Sequence, residues 1–208
     1  MNVNIGRSSA RGAAKTKYLI DVATRLFVEF GYGRMGLDVL VRDAKVSKTT
    51  VYSRFSSKTE LFKAVIQDAC AEAGSRTPDA IPDLDDLPGT LTMVGHDVLA
   101  RFSLPTMQAI LFGIAEASRT DPTTSRLFWD AGPGRGARII AESIDRKNPS
   151  APAFELGNQF VLDISGVIVG RSLLGFDDFS KLDFDAIVDE HVATFLARNK
   201  SLLSKAAR

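Results

Sequence analysis

Apolar residues recur at steps of three and four through most of the chain, and no stretch shows convincing strand alternation. Leu19, Val22, Ala23, Leu26, Phe27 and Phe30 make the first stripe, which predicts an amphipathic helix closed by Gly31 just past its C-terminus. Leu37, Leu40 and Val41 predict a short second helix ending near Ala44 and Lys45. Ser47 is a good N-cap for a third, with Val51, Tyr52 and Phe55 at its apolar positions. Ser57, with Glu60 three residues on, forms a capping box that opens a fourth. The buried stripe of that helix is Leu61, Phe62, Val65, Ile66, Ala69 and Cys70. Ahead of these elements, residues 1–10 are small and polar and are predicted to be disordered.

The segment "GSRTPDAIPDLDDLP", residues 74–88, holds three prolines and four aspartates and reads as a linking loop. Five helical stretches are predicted beyond it. The first covers 86–102, with Leu91, Val94, Val98, Leu99 and Phe102 inward, and the second runs from Ser103 and Pro105 to about Arg119. Asp121 and Pro122, an N-cap and a first-turn proline, open the third through Trp129. "GPGRG" at 132–136 kinks or interrupts it before Ile139, Ile140 and Ile144. The last two cover 152–175 and 183–198. The fold class is all-α.

Charge changes this picture more than composition does. The chain of 208 residues carries a net charge of only +1. Residues 1–63, however, hold 12 Lys/Arg against 5 Asp/Glu, leaving 26 − 12 = 14 basic and 25 − 5 = 20 acidic residues for the rest. A head of about +7 joined to a body of about −6 suits a nucleic-acid-binding module carried by a larger, non-binding one. One cysteine, Cys70, excludes an intramolecular disulfide framework, and with two histidines it makes no convincing zinc site. No metal or cofactor is expected. No apolar run reaches membrane-spanning length and no apolar signal core opens the chain, so the expectation is a cytoplasmic, nucleoid-associated protein with no membrane partner.

The stretch "DAKVSKTTVYSRFSSKTELF", residues 43–62, joins two short helices by a tight turn, the second polar on its outer face. That is the pattern of a helix-turn-helix, whose second helix enters the major groove while flanking groups hold phosphates. Ser47 caps this helix, and Lys48, Thr49, Thr50 and Ser53 project outward. Val51 and Phe55 face inward, and Lys58 reaches a phosphate from the first turn of the next helix. The basic N-terminal tail is either a minor-groove arm or a solvated tail.

With "LFVEFGY" (26–32), "VSKTTVYSRF" (46–55) and "SKTELF" (57–62) in this order and spacing, the chain resembles the TetR family of bacterial transcriptional regulators from about Tyr18 to Val65. The resemblance implies a three-helix DNA-binding head, here residues 11–57, and a larger helical body, 58–208, that dimerises and houses a small-molecule pocket. Carried over by position, the DNA-facing residues are Ser47, Lys48, Thr49, Thr50, Tyr52 and Lys58, with Tyr52 against the phosphate backbone. Two features, over three positions, depart from the family pattern. Met35 and Gly36 stand where a hydroxyl pair usually caps the second helix and meets a phosphate, and Lys45 replaces the glycine of the turn.

The body resembles AefR-like members more loosely, over 110–135. Pocket candidates are Met93, Phe102, Met107, Phe112, Phe128, Trp129 and Phe160, with plain core the favoured reading of any one of them. His96, Glu116 and Asp163 are candidate polar anchors, each of which reads equally as surface-exposed or locally paired. The helix at 154–175 is apolar around most of its circumference and calls for cover on all sides. Intramolecular core provides that cover in one reading. The resemblance implies instead a four-helix interface between two subunits, for which the candidates are Phe160, Ile164, Val167, Ile168, Arg171, Val188, His191, Val192 and Phe195.

The function expected is a ligand-responsive repressor, a homodimer bound to a palindromic operator in double-stranded DNA and released by an unidentified small molecule. An architectural DNA-binding protein without an inducer is the alternative. A small enzyme with a basic appendage is disfavoured, because no nucleophile–base grouping or metal cluster assembles with any specificity. "GPGRG" lacks the preceding strand and the Gly-Lys-Ser/Thr ending of a phosphate loop.

Overall fold

The computed structural model describes residues 4–76, 83–176 and 178–204, with side chains at all of these except 4–9 and 75–76. Every regular element in it is helical, and no strand occurs among the described residues. No single helix among them is long and apolar enough to cross a membrane. The chain forms two compact units, residues 1–71 with 109–128, and residues 72–108 with 129–208.

The first unit holds α1 (Asn4–Arg34), α2 (Leu37–Asp43), α3 (Lys48–Tyr52), most of α4 (Lys58–Arg76), the later part of α6 (Pro105–Ala117) and most of α7 (Thr123–Ala131). Leu19, Ala23, Leu26 and Phe27 of α1, Leu40 of α2, Val51 of α3 and Leu61, Phe62, Val65 and Ile66 of α4 are buried together as its core. Phe62 stands edge-on to Phe27 at 5.0 Å and to Tyr32 at 4.8 Å between ring centroids. Gly113 of α6 lies against this cluster: a Cβ there would come 2.5 Å from Phe62 Cζ.

Two expectations are corrected at α1. The helix starts at Asn4, so residues 4–10 are not a disordered tail; residues 1–3 lie outside the described residues. The run Ala10-Arg11-Gly12-Ala13-Ala14-Lys15 is rich in strong helix formers, which outweigh its one glycine. Gly31 interrupts the first helical run where expected. That residue adopts φ +72°, ψ 168°, a break after which helical geometry resumes to Arg34. Phe30, placed on the inward stripe, is 41% exposed.

The second unit is built around α5 (Leu87–Phe102), which packs against α8 (Pro133–Lys147), α9 (Ala153–Leu173) and α10 (Phe184–Arg198). α8 and α9 approach closely at Gly157, where any side chain would collide with the backbone carbonyl of Ala137. Phe160 of α9 and Phe195 of α10 meet edge to face at 5.4 Å. A single 3-10 turn, Phe179–Lys181, precedes α10, and a short α11 (Lys200–Leu203) follows it. Asn148 Nδ2 donates to the Leu202 carbonyl at 2.7 Å and ties α11 back to the end of α8.

The interruption at "GPGRG" is a complete break between α7 and α8, so the expected five stretches become more elements. Gly132 leaves helical geometry and Pro133 starts the next helix, as a first-turn proline does. The linking loop is shorter than 74–88, because α4 runs on to Arg76 and α5 begins at Leu87. Residues 77–82 of that segment lie outside the described residues.

Helix ends follow from local chemistry. At the end of α9, Gly175 at φ +75° lets Phe176 N–H reach the Arg171 carbonyl at 2.9 Å and Gly175 N–H reach that of Ser172 at 3.1 Å. This is the Schellman closure. α2 ends similarly: Val46 N–H reaches the Val41 carbonyl at 3.3 Å, and the left-handed position falls on Lys45 at φ +53°.

Candidate nucleic-acid interface

α3 is five residues long and owes its start to Ser47, whose hydroxyl accepts from Thr50 N–H at 3.2 Å. Val51 is fully buried beneath it, and Phe55, just past its end, is 5% exposed. These two anchors turn the opposite face to solvent. Ser47, Lys48, Thr49, Tyr52 and Ser53 are exposed, so five of the seven expected contact residues share one open surface. Thr50 differs. It is half-buried, and its hydroxyl lies 2.9 Å from Ser47 Oγ, turned back into the cap.

Lys58 is held from two sides. Its Nζ donates to the Gly33 carbonyl at 3.2 Å and sits 3.9 Å from the centroid of the Tyr32 ring. Burial pushes its ammonium below the ordinary value, and the Glu116 carboxylate opposes that shift. Tyr32 is fixed in turn, its hydroxyl 3.2 Å from Thr59 Oγ1. The next helix opens as the capping box implies on one side: Glu60 N–H donates to Ser57 Oγ at 3.2 Å, while the Glu60 carboxylate turns to Lys63 at 3.5 Å.

Met35 is buried at 1% exposure, and Gly36 caps α2 without any side-chain hydrogen bond. Neither offers the hydroxyl expected at this helix start. A buried methionine there adds to the core of the first unit instead.

The residues named for the body are more dispersed. Phe112, Glu116 and Phe128 belong to the first unit; Met93, His96, Phe102, Met107, Trp129, Phe160 and Asp163 belong to the second. Phe102, Met107, Phe128 and Phe160 are core, while Phe112 is 47% exposed and Glu116 is exposed. His96 Nε2 lies 3.5 Å from Asp185 Oδ1. A hollow of about 260 Å³ opens between α9 and α10, lined chiefly by Phe160, Asp163, Glu190, His191, Phe195 and Arg198. It gathers two of the ten pocket candidates, Phe160 and Asp163. His191 Nδ1 is already engaged with the Ile187 carbonyl at 2.8 Å, and Arg198 Nη1 pairs with Asp163 at 3.5 Å.

Of the nine interface candidates, Phe160, Ile164, Ile168, Val188, Val192 and Phe195 are buried in the protomer's own core, and Val167, Arg171 and His191 are half-buried. The buried six cannot present their side chains to another subunit without unpacking. The exposed line on α9 runs instead through Leu162 (56% exposed), Gly166, Gly170 and Leu173 (66%), with open space over both glycines.

Comparison with known proteins decides the family. The family model described as bacterial regulatory proteins, tetR family, matches residues 19–65, which span the α1–α4 arrangement above. An uncharacterised HTH-type transcriptional regulator of Mycobacterium tuberculosis is 25% identical over 183 residues, 87% of each chain. The DNA-binding transcriptional repressor TetR of Mycobacteroides abscessus is 34% identical over 85 residues, 41% of this chain and 45% of that one. The solved structure of the flavonoid-responsive regulator FrrA superposes with a TM-score of 0.71 at 25% identity, covering 93% of this chain and all of that one. The chain belongs to the TetR family. It is a DNA-binding transcriptional regulator, and its relatives and structural neighbours are regulators rather than enzymes.

Two residues of this TetR-family head escaped the reading of its sequence. Arg54, just past α3, donates from Nη1 to the Thr50 carbonyl at 3.0 Å and to Ser53 Oγ at 3.3 Å, and from Nε to Thr16 Oγ1 of α1 at 3.2 Å. It ties the end of α3 to α1. Asp38, in the first turn of α2, pairs with Lys48 Nζ at 2.9 Å, and this hydrogen bond is the main reason the Lys48 ammonium is held above its ordinary value. No local pattern announces a pair ten residues apart across a turn.

Proposed function

We propose that this TetR-family chain is a homodimeric repressor that binds a palindromic operator through α3 and is released from it by a small molecule. The observation that carries the reading is α3 itself: a Ser47-capped helix, anchored by Val51, whose outer face offers Lys48, Thr49, Tyr52 and Ser53. Base edges are read by the outer face, while Tyr52 and Lys58 engage phosphates. The functional division follows residues 11–57 as the DNA-binding segment and 58–208 as the remainder, which also lends its 109–128 segment to the first compact unit.

Five residues of helix contact too few base pairs for a specific site, which argues for a twin. A two-fold dimer sets its recognition helices about 34–36 Å apart, one turn of DNA, and calls for a palindrome. The exposed line Leu162, Gly166, Gly170 and Leu173 on α9 supports that association, since glycines allow close helix approach and leucines add apolar area. FrrA is flavonoid-responsive by its name, and a triclosan complex of SmeT is another structural neighbour, which supports a ligand-responsive body here. Binding there shifts the population of head arrangements and lowers affinity for DNA.

Genome-wide footprinting in the native host tests the first claim and should return a palindromic motif. A footprint without symmetry, or none at modest ionic strength, would sink it. Leu162→Glu should yield a light-scattering mass of one subunit and weak DNA binding. A mass still at two subunits would move the interface elsewhere.

A further inference from the structure

Lys48 stands at the start of α3 with 69% of its side chain exposed, yet its Nζ is held 2.9 Å from Asp38 Oδ1. Asp38 is itself 66% exposed. The head therefore carries a carboxylate within hydrogen-bond reach of Lys48, one of the two cations among the expected contact residues. A carboxylate at that place occupies a cation that would otherwise attract phosphate. Stability does not explain the arrangement, since a pair this exposed contributes little to folding. Recognition does, because non-specific affinity comes from cations free to meet any phosphate.

We propose that Asp38 is a specificity-determining residue of the DNA-binding reaction. Its carboxylate occupies Lys48 until an arrangement of base edge and phosphate, found only at a proper site, draws the ammonium away. Random DNA offers a weaker exchange and leaves the pair closed. Such a device discriminates by penalising the wrong partner, not only by rewarding the right one. The inference rests on the reading that α3 faces DNA.

The experiment measures binding to a random-sequence duplex and to the tightest sequence selected from a random library, over a range of salt. Asp38→Ala frees Lys48 for one more phosphate. On random duplex the salt slope should steepen by about 0.9, and affinity at ~0.1 M salt should rise by about 10^0.9, roughly eightfold. Affinity for the selected sequence should rise less, so the ratio between the two falls several-fold. Asp38→Glu, which keeps a carboxylate within reach of Lys48, should stay near the parent. In a Lys48→Met background the effect of Asp38→Ala should vanish.

An unchanged slope for Asp38→Ala on random duplex overturns the inference. So does an effect that survives in the Lys48→Met background, since Asp38 would then act on DNA directly, and so does an equal gain on both sequences. If Lys48→Met itself alters neither affinity, α3 is not the DNA face and the underlying reading falls as well. Thermal melts of each variant separate these results from loss of fold.

Discussion

Lys45 holds the left-handed position that closes α2, at φ +53°, and it is exposed. Its conformation is imposed by the Val46 N–H to Val41 carbonyl bond, which needs the chain to turn back over the helix end. A side chain in this region costs about 1–2 kcal/mol, because its Cβ crowds the following carbonyl. Lys45→Gly removes that strain but loosens the unfolded chain, which returns about 0.4–1 kcal/mol. The net expectation is a gain of about 0.5–1 kcal/mol. Over a chain of this size that raises the melting temperature by about 1–4 °C. The comparison protein is Lys45→Ala, which loses the charge but keeps the strain and should melt near the parent. Lys45→Asn should fall between, since asparagine tolerates the conformation better than most residues. Circular dichroism melts and urea titrations, read at equal m-value, give the ordering. A Gly variant no more stable than the Ala variant would refute the argument, since the two share the same loss of charge.

Gly113→Ala should destabilise by about 1–3 kcal/mol, the usual cost of overpacking, because its Cβ would come 2.5 Å from the fully buried Phe62 ring; a urea midpoint equal to the parent's would show that the ring yields freely. Asp121 is held down to about 2 by the Lys63 ammonium at 2.8 Å and by the Thr123 hydroxyl and amide, so its contribution is complete above its ordinary range near 4 and fades as pH falls to about 2. Asp121→Asn should therefore be less stable than the parent at pH 7, with the gap closing on acidification over that window; a gap independent of pH would remove Asp121 as the cause. Lys58→Ala should weaken binding to all DNA sequences alike and make the salt slope shallower by about one unit, whereas an unchanged slope would take Lys58 off the phosphate list.

Much of the head was legible because its signals are local. Ser47 announces α3, Ser57 announces α4, and the three- and four-residue spacing of Leu61 to Cys70 fixes the buried side of that helix. The body was less legible. An apolar position looks the same in sequence whether the neighbouring helix belongs to the same chain or to another. Ile164 and Val188, expected at an interface, instead flank Gly95 inside one protomer. Glycines reported the reverse: Gly166 and Gly170 border open space, and only coordinates distinguish them from Gly157, wedged against α8. The start of α1 was missed because small polar residues suit a free tail and a solvated helix equally well. The Thr50 hydroxyl, expected to point outward, is taken by its own cap at 2.9 Å from Ser47 Oγ.

Arg54 has a bearing on how such a regulator can be switched off. Three hydrogen bonds from one guanidinium staple the end of α3 to its own last turn and to Thr16 on α1. Swivelling the reading helix within its module would tear the bond to Thr16 and unseat Val51, while the bonds to Thr50 and Ser53 would travel with the helix. In the proposed ligand-responsive dimer, a signal therefore does best to carry the module as a block, changing how far apart two such blocks stand rather than the pose of the helix in either. Loosening the staple, as with Arg54→Ala, would leave a reader that still docks but blurs the distance its twin must match.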